Sequence, residues 1–195
     1  MELFSLSHIG YLAISFGLIT ILYFLLRKKS QKTQSNFILT LLIISFIIHF
    51  LKLLLPEYKD YLPYSLSSIT FESICAISTL TFPFIFVSKN KYLKDYMVTI
   101  GIVSGIITLL LPLETISNNF FNLENIRFFF AHFVILTSSL FMYLFKIHKL
   151  EGHFLKNSII IFLIAILIML VNNCIFIYFA YDKETLLEYL NSLYQ

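Results

Sequence analysis

This chain is short of charge. Only 13% of its 195 residues are Asp, Glu, Lys or Arg, against about 25% in an ordinary soluble domain. Hydrophobic residues make up 58%, and the mean hydropathy is +0.85. A soluble core could not hide that much apolar surface, so the expected class is an all-α, multi-pass membrane protein. Cysteine is nearly absent too. Cys75 and Cys174 are the only two, and both fall inside apolar runs. That excludes a disulfide framework and any Cys-based metal spacing, and nothing calls for a cofactor or a metal. The first apolar run follows Met-Glu, with no basic n-region and no A-x-A cleavage site, so it reads as a retained span. No linker and no internal repeat divides the chain. A net charge of +3 gives no case for nucleic-acid binding.

What is present is a series of long apolar runs. A membrane-spanning helix needs about 20 apolar residues, and six such runs can be counted: Ile9–Leu26, Asn36–Leu55, Leu62–Val87, Tyr96–Leu113, Ile126–Phe145 and Asn157–Tyr181. They predict a six-helix transmembrane domain over residues 1–181. The tail "DKETLLEYLNSLYQ" is too polar to span. Leu186, Leu190 and Leu193 recur in it at helical spacing, so residues 182–195 are expected to form a short amphipathic helix on the outer surface.

Basic residues orient the bundle. Arg27, Lys28, Lys29 and Lys32 fill the first loop, Lys89, Lys91 and Lys94 the third, and Lys146, Lys149 and Lys156 the fifth. These are 10 of the 14 Lys and Arg residues, all in alternate loops. Glu2, Glu57, Asp60, Glu114, Glu124, Asp182, Glu184 and Glu188 collect on the other side. Both termini are therefore expected outside.

Orientation converts sequence position into depth. His8, His49 and Lys52, then Ser65, Ser68, Glu72 and Cys75, then Asn125 and His132, then Asn172 and Asn173 all fall in outer halves of spans. At about 100° per residue, Ser65, Ser68, Glu72, Cys75 and Thr79 share one stripe. Asn125, His132 and Ser139 share another, and Ser45, His49 and Lys52 a third. Polar stripes are costly against lipid, so they should face one another around a polar pocket in the outer half. The alternatives are plainer. His132 would then only hydrogen-bond a neighbouring helix, and Glu72 would be structural glue. Lys52 and Arg127 are expected to snorkel to the interface. Gly101 and Gly105 in "GIVSG" read as close helix packing, and the loop histidines His148 and His153 as solvated.

Several stretches, taken in order, resemble the YwaF-type bacterial integral membrane family. That family is similar in turn to the animal transmembrane protein 164 family of phospholipid acyltransferases. "FSLSHIGYLAISF" looks like its first span with an entrance histidine, here His8. "DYLPYSLSSIT" is similar to its D-x-L-P-L-x-L-C-S-I-T element. "GIVSGIITLLLP" resembles its fourth span, ending at Pro112. "IRFFFAHFVIL" resembles its R-F-F-x-x-H segment, and "NNCIFIYF" with "KETLLEYL" its late asparagine span and outer segment. The resemblance implies phospholipid acyl transfer, with a third-span cysteine and the fifth-span histidine as the reactive pair. Here the cysteine position is Ser67 and the histidine is His132.

A serine needs a base within hydrogen-bond reach where a thiol does not. On this reading His132 activates Ser67, or deprotonates a lysolipid hydroxyl directly. Asn172 or a backbone N–H at the start of the third helix would hold the oxyanion. His8, His49, Ser68 and Glu72 would line the substrate pocket. If the third helix is regular from Pro63, Ser67 lies well over 90° from the Glu72 stripe, which keeps Ser68 and Cys75 open as alternatives. Family members tend to continue into a further span, so a second copy would complete the bundle unless the protein is inactive. The expected partners are membrane phospholipids and another copy of the chain. Two rival functions use the same residues: a small-solute binding or transport subunit, and an inactive relative acting as a scaffold.

Overall fold

The computed structural model describes residues 5–51, 69–111 and 120–193, with side chains through Tyr178. All regular structure among the described residues is helical. The six helices are α1 (Leu6–Leu26), α2 (Gln31–Phe50), α3 (Ile74–Val87), α4 (Lys91–Leu110), α5 (Leu123–Leu144) and α6 (Phe154–Leu193). Five are long and apolar enough to cross a membrane. Their starts are local. Ser30 accepts a hydrogen bond from the Thr33 amide, Asn90 from those of Tyr92 and Leu93, and Asn122 from those of Glu124 and Asn125. These side-chain oxygens satisfy amides that a helix's first turn leaves open.

The third span departs from expectation. Residues 69–73 are turn and bend, and the helix begins only after Ser73, whose hydroxyl accepts from the Ala76 amide at 3.1 Å. At 14 residues, α3 is about 21 Å long, short of the roughly 30 Å of bilayer hydrocarbon. Glu72 therefore precedes the helix, and the expected stripe from Ser65 to Thr79 keeps only Cys75 and Thr79 on one described helical face. Apolar composition measured the length of the run. It did not register a serine able to cap a helix inside it. Ser65, Lys52 and Pro112 lie outside the described residues.

The sixth span departs in the other direction. Helix α6 continues as one 40-residue helix to Leu193, about 60 Å long. The polar C-terminal segment extends this helix beyond what a bilayer's hydrocarbon can cover.

Helices α4 and α5 form the centre. Helix α6 packs along α4, α2 along α3 and α5, and α1 against α5. Helix α5 is the most enclosed, and every residue from His132 to Ser139 is buried. Two glycines bring α4 onto it. A Cβ on Gly101 would lie 2.0 Å from Ser139 Oγ, and one on Gly105 would lie 3.1 Å from the Leu136 Cα. Close packing at "GIVSG" is thus what the structure has. The Ser139 hydroxyl donates to the Met97 carbonyl at 2.8 Å across the same seam. Backbone cannot step aside as a flexible side chain can. Gly105→Ala is therefore expected to destabilise the bundle by about 1–3 kcal/mol through overpacking. Gly17→Ala, with nothing within 4 Å of the added methyl, should be neutral or slightly stabilising. Thermal unfolding of the two variants in the same detergent compares them.

Candidate functional site

The glycine seam fixes the register of the antiparallel pair α4 and α5. Gly101 sits opposite Ser139 and Gly105 opposite Leu136. One turn further, the backbone level of Leu109 on α4 matches that of His132 on α5. Other helices reach this level too. His8 of α1 is fully buried, and its Nε2 donates to the Leu109 carbonyl at 2.9 Å. Cys75 of α3 places its Sγ 3.8 Å from Thr108 Oγ1. A histidine from α1 and a thiol from α3 thus contact adjacent residues of α4, at the backbone level of His132 on α5.

His132 is 5% exposed, and its Nδ1 lies 2.7 Å from the carbonyl oxygen of Phe128. A carbonyl only accepts, so Nδ1 carries the hydrogen. In the neutral ring that makes Nε2 the basic nitrogen. The Phe128 carbonyl thus orients the ring as a carboxylate or carbonyl does in a general-base site. Aromatic rings wall the region. The Phe128 ring is 4.3 Å from that of His132, and Phe129 is 6.0 Å from that of His8. Tyr11 stacks between Phe120 and Phe129 at 4.5 and 4.2 Å, and its hydroxyl donates to the Phe120 carbonyl. In this buried region a charge that forms is screened little, and nearby dipoles act strongly.

Two of the stripes read from the sequence are buried wherever they are described, while Glu72 and Cys75 of the other are half-buried. Asn125, His132 and Ser139 are 1%, 5% and 0% exposed, and Ser45 and His49 are buried as well. The His49 ring stands edge-on to Phe50. Phe46 meets Phe84, so the end of α2 stands against α3. Glu72 is half-buried, and its backbone carbonyl accepts from Asn173 Nδ2 at 3.2 Å. Asn172 instead donates to Asn173 and lines an apolar hollow with Phe71 and Ile175. Of the adjacent asparagines, Asn173 is the one that ties α6 to the chain entering α3. Ser67 and Ser68 lie outside the described residues.

Two expectations are corrected. Arg127 does not extend freely outward: its side chain is 13% exposed, 4.0 Å from Glu124. His148 is not solvated. It is buried, and its Nε2 donates to Asp95 Oδ1 at 2.8 Å. Asp95 is fully buried and also accepts from the Glu151 amide and from Asn157 Nδ2, each at 3.3 Å. This cluster, at the basic end of the bundle, escaped the sequence reading. The available signal was a lone acid among lysines in "KNKYLKD". Among the described residues no group of His, Cys, Asp and Glu is arranged to hold a metal ion.

The sequence profile of the TMEM164 family matches residues 3–181. This chain belongs to the TMEM164 family. The match runs from α1 well into α6, so it takes in every helix that reaches the Leu109 level. The resemblance read from ordered short motifs is borne out at the level of the family. No curated protein and no solved structure matches the chain. As a TMEM164-family chain with apolar helices, it is an integral membrane protein.

Proposed function

We propose that this TMEM164-family protein is a membrane-embedded acyltransferase that moves fatty acyl chains between phospholipids and lysophospholipids. The supporting observation is His132: buried, oriented through Nδ1, with Nε2 as its basic nitrogen, at the backbone level where His8 and Cys75 contact α4. In the proposed reaction the Ser67 Oγ attacks the acyl carbonyl carbon of a phospholipid, and its proton passes to His132 Nε2. The glycerol ester C–O bond then breaks, and that proton leaves on the lysophospholipid hydroxyl. A second lysophospholipid reverses the steps and takes the acyl group. Backbone amides at the start of α3 would stabilise the oxyanion. His8, His49, Ser68 and Glu72 would line the pocket. We place the site toward the outer leaflet of a bacterial plasma membrane, with the lysine-rich end in the cytoplasm.

The nucleophile is tested by trapping. Protein incubated with a phospholipid radiolabelled in its acyl chain should retain label on Ser67 as an ester that survives neutral hydroxylamine. Ser67→Ala should abolish the label, and Cys75→Ala should leave it. Label that neutral hydroxylamine removes, and that Cys75→Ala abolishes, would transfer the role to Cys75. Exchange without any trapped label would mean that His132 activates the lysolipid hydroxyl directly.

A further inference from the structure

The basic end of the bundle holds a groove that the acyl-transfer reading does not use. Two hollows of about 300 and 320 Å³ adjoin between the first turns of α4 and α6, sharing Asn90 and Tyr92. One is floored by Leu93, Ile160 and Ile161, with Asn157 at its edge. The other ends at Lys91 and Glu151. The lining therefore passes from apolar, through amide and phenol, to charged. That is the order of acyl chain, glycerol ester and head group along a phospholipid.

Charge selects among lipids. Residues 88–95 and 145–157 hold six lysines and two acids. One of the acids, Asp95, is sealed from the groove: it is fully buried and saturated by His148, Asn157 and the Glu151 amide. The other, Glu151, pairs with Lys91 at 3.0 Å, with side chains 39% and 71% exposed. An ion pair that open contributes little and exchanges readily. The surface field around the groove is thus set by Lys89, Lys91, Lys94, Lys149 and Lys156. Basic pockets between transmembrane helices suit anionic head groups.

We propose that this groove binds an anionic phospholipid from the leaflet at the basic end. The acyl chain lies on Leu93, Ile160 and Ile161, and the phosphate faces Lys91. The burial of Asp95 keeps one carboxylate out of reach, and the phosphate displaces the other, Glu151, from its open pair with Lys91.

The chain contains no tryptophan, so one can be introduced as a local reporter. Tyr92→Trp replaces a side chain that is 59% exposed. The variant is reconstituted in phosphatidylcholine vesicles containing equal mole fractions of either brominated phosphatidylglycerol or brominated phosphatidylcholine. Quenching by the anionic lipid should be several-fold stronger, since each lysine near the surface enriches anionic lipid by roughly five-fold. Raised salt should reduce the difference. Adding Lys91→Gln, Lys94→Gln and Lys156→Gln should bring the two lipids to parity. Val103→Trp, half-exposed in the middle of α4, should be quenched equally by both. Equal quenching of the Tyr92→Trp protein by the two lipids overturns the proposal. So does a preference that survives the lysine substitutions, or one equally strong in the Val103→Trp protein. Size-exclusion profiles matching the parent protein show that each variant is folded.

Discussion

His132→Ala should abolish acyl exchange between a labelled phospholipid and a lysophospholipid in proteoliposomes. A positioned general base typically contributes about 10²–10⁴ in rate, so the loss should fall at the assay floor. His132→Gln should be as inactive. A glutamine side-chain N–H can still donate to the Phe128 carbonyl, but no nitrogen in it takes up a proton near neutral pH. The two variants together separate the base from the orienting hydrogen bond. If the ring served only to make its hydrogen bond to the Phe128 carbonyl, the glutamine variant would retain most of the activity. Exchange at the parental rate in a folded His132→Ala protein would remove His132 from the mechanism. His8→Gln provides the contrast. His8 Nε2 donates to the Leu109 carbonyl, so glutamine there should keep more activity than at position 132.

The second large effect is expected at the opposite end of the molecule. Asp95→Ala should cost about 1–3 kcal/mol for each buried donor it leaves without an acceptor. The carboxylate takes three donors, from His148, the Glu151 amide and Asn157. Its loss leaves all three buried or half-buried without that acceptor, which is the expensive outcome of breaking a hydrogen-bonded pair. The loop after α5 should come loose as well, because His148 anchors it to α4. The loop's backbone is unusual there: Lys146 holds φ at 55°, a conformation that non-glycine residues keep only where the surroundings enforce it. Thermal unfolding in detergent and limited proteolysis across residues 146–153 read the two effects. Unchanged melting with an intact loop would show that the Asp95 cluster does not hold this end together. His148→Ala should fall between Asp95→Ala and the parent. It removes one donor and leaves the Glu151 amide and Asn157 on the carboxylate.

The contrast between these two sites shows what a linear sequence exposes. His132 stood out because an ionisable group inside an apolar run is conspicuous, and Asn125 and Ser139 repeated it at seven-residue spacing. Burial of all three followed from helix geometry. Asp95 was inconspicuous because it sits among lysines in a loop-like stretch, where an acid reads as solvated. Its partners, His148, Glu151 and Asn157, lie more than 50 positions away. No period links them. Similarly, the choice between Asn172 and Asn173 depended on the rotation of α6 against the chain entering α3. Adjacent residues on a helix differ by about 100°, and composition cannot set that angle.

The sequence by itself determined the class. Apolar runs of bilayer length make membrane helices because each backbone polar group must find its partner within the run. Six runs were therefore readable as six helices, and ordered short motifs as the TMEM164 family. Tertiary structure alone decided where α3 begins, since Ser73 caps a helix inside an apolar run. It decided that Gly101 and Gly105 set the register of α4 against α5, because close approach depends on what stands opposite the missing side chain. That register puts His132 level with Leu109, where His8 and Cys75 also arrive. It likewise decided that Asp95, which no sequence pattern marked, and His148, expected to be solvated, form the buried joint of three segments. A burial cost can be offset only by partners that folding brings together.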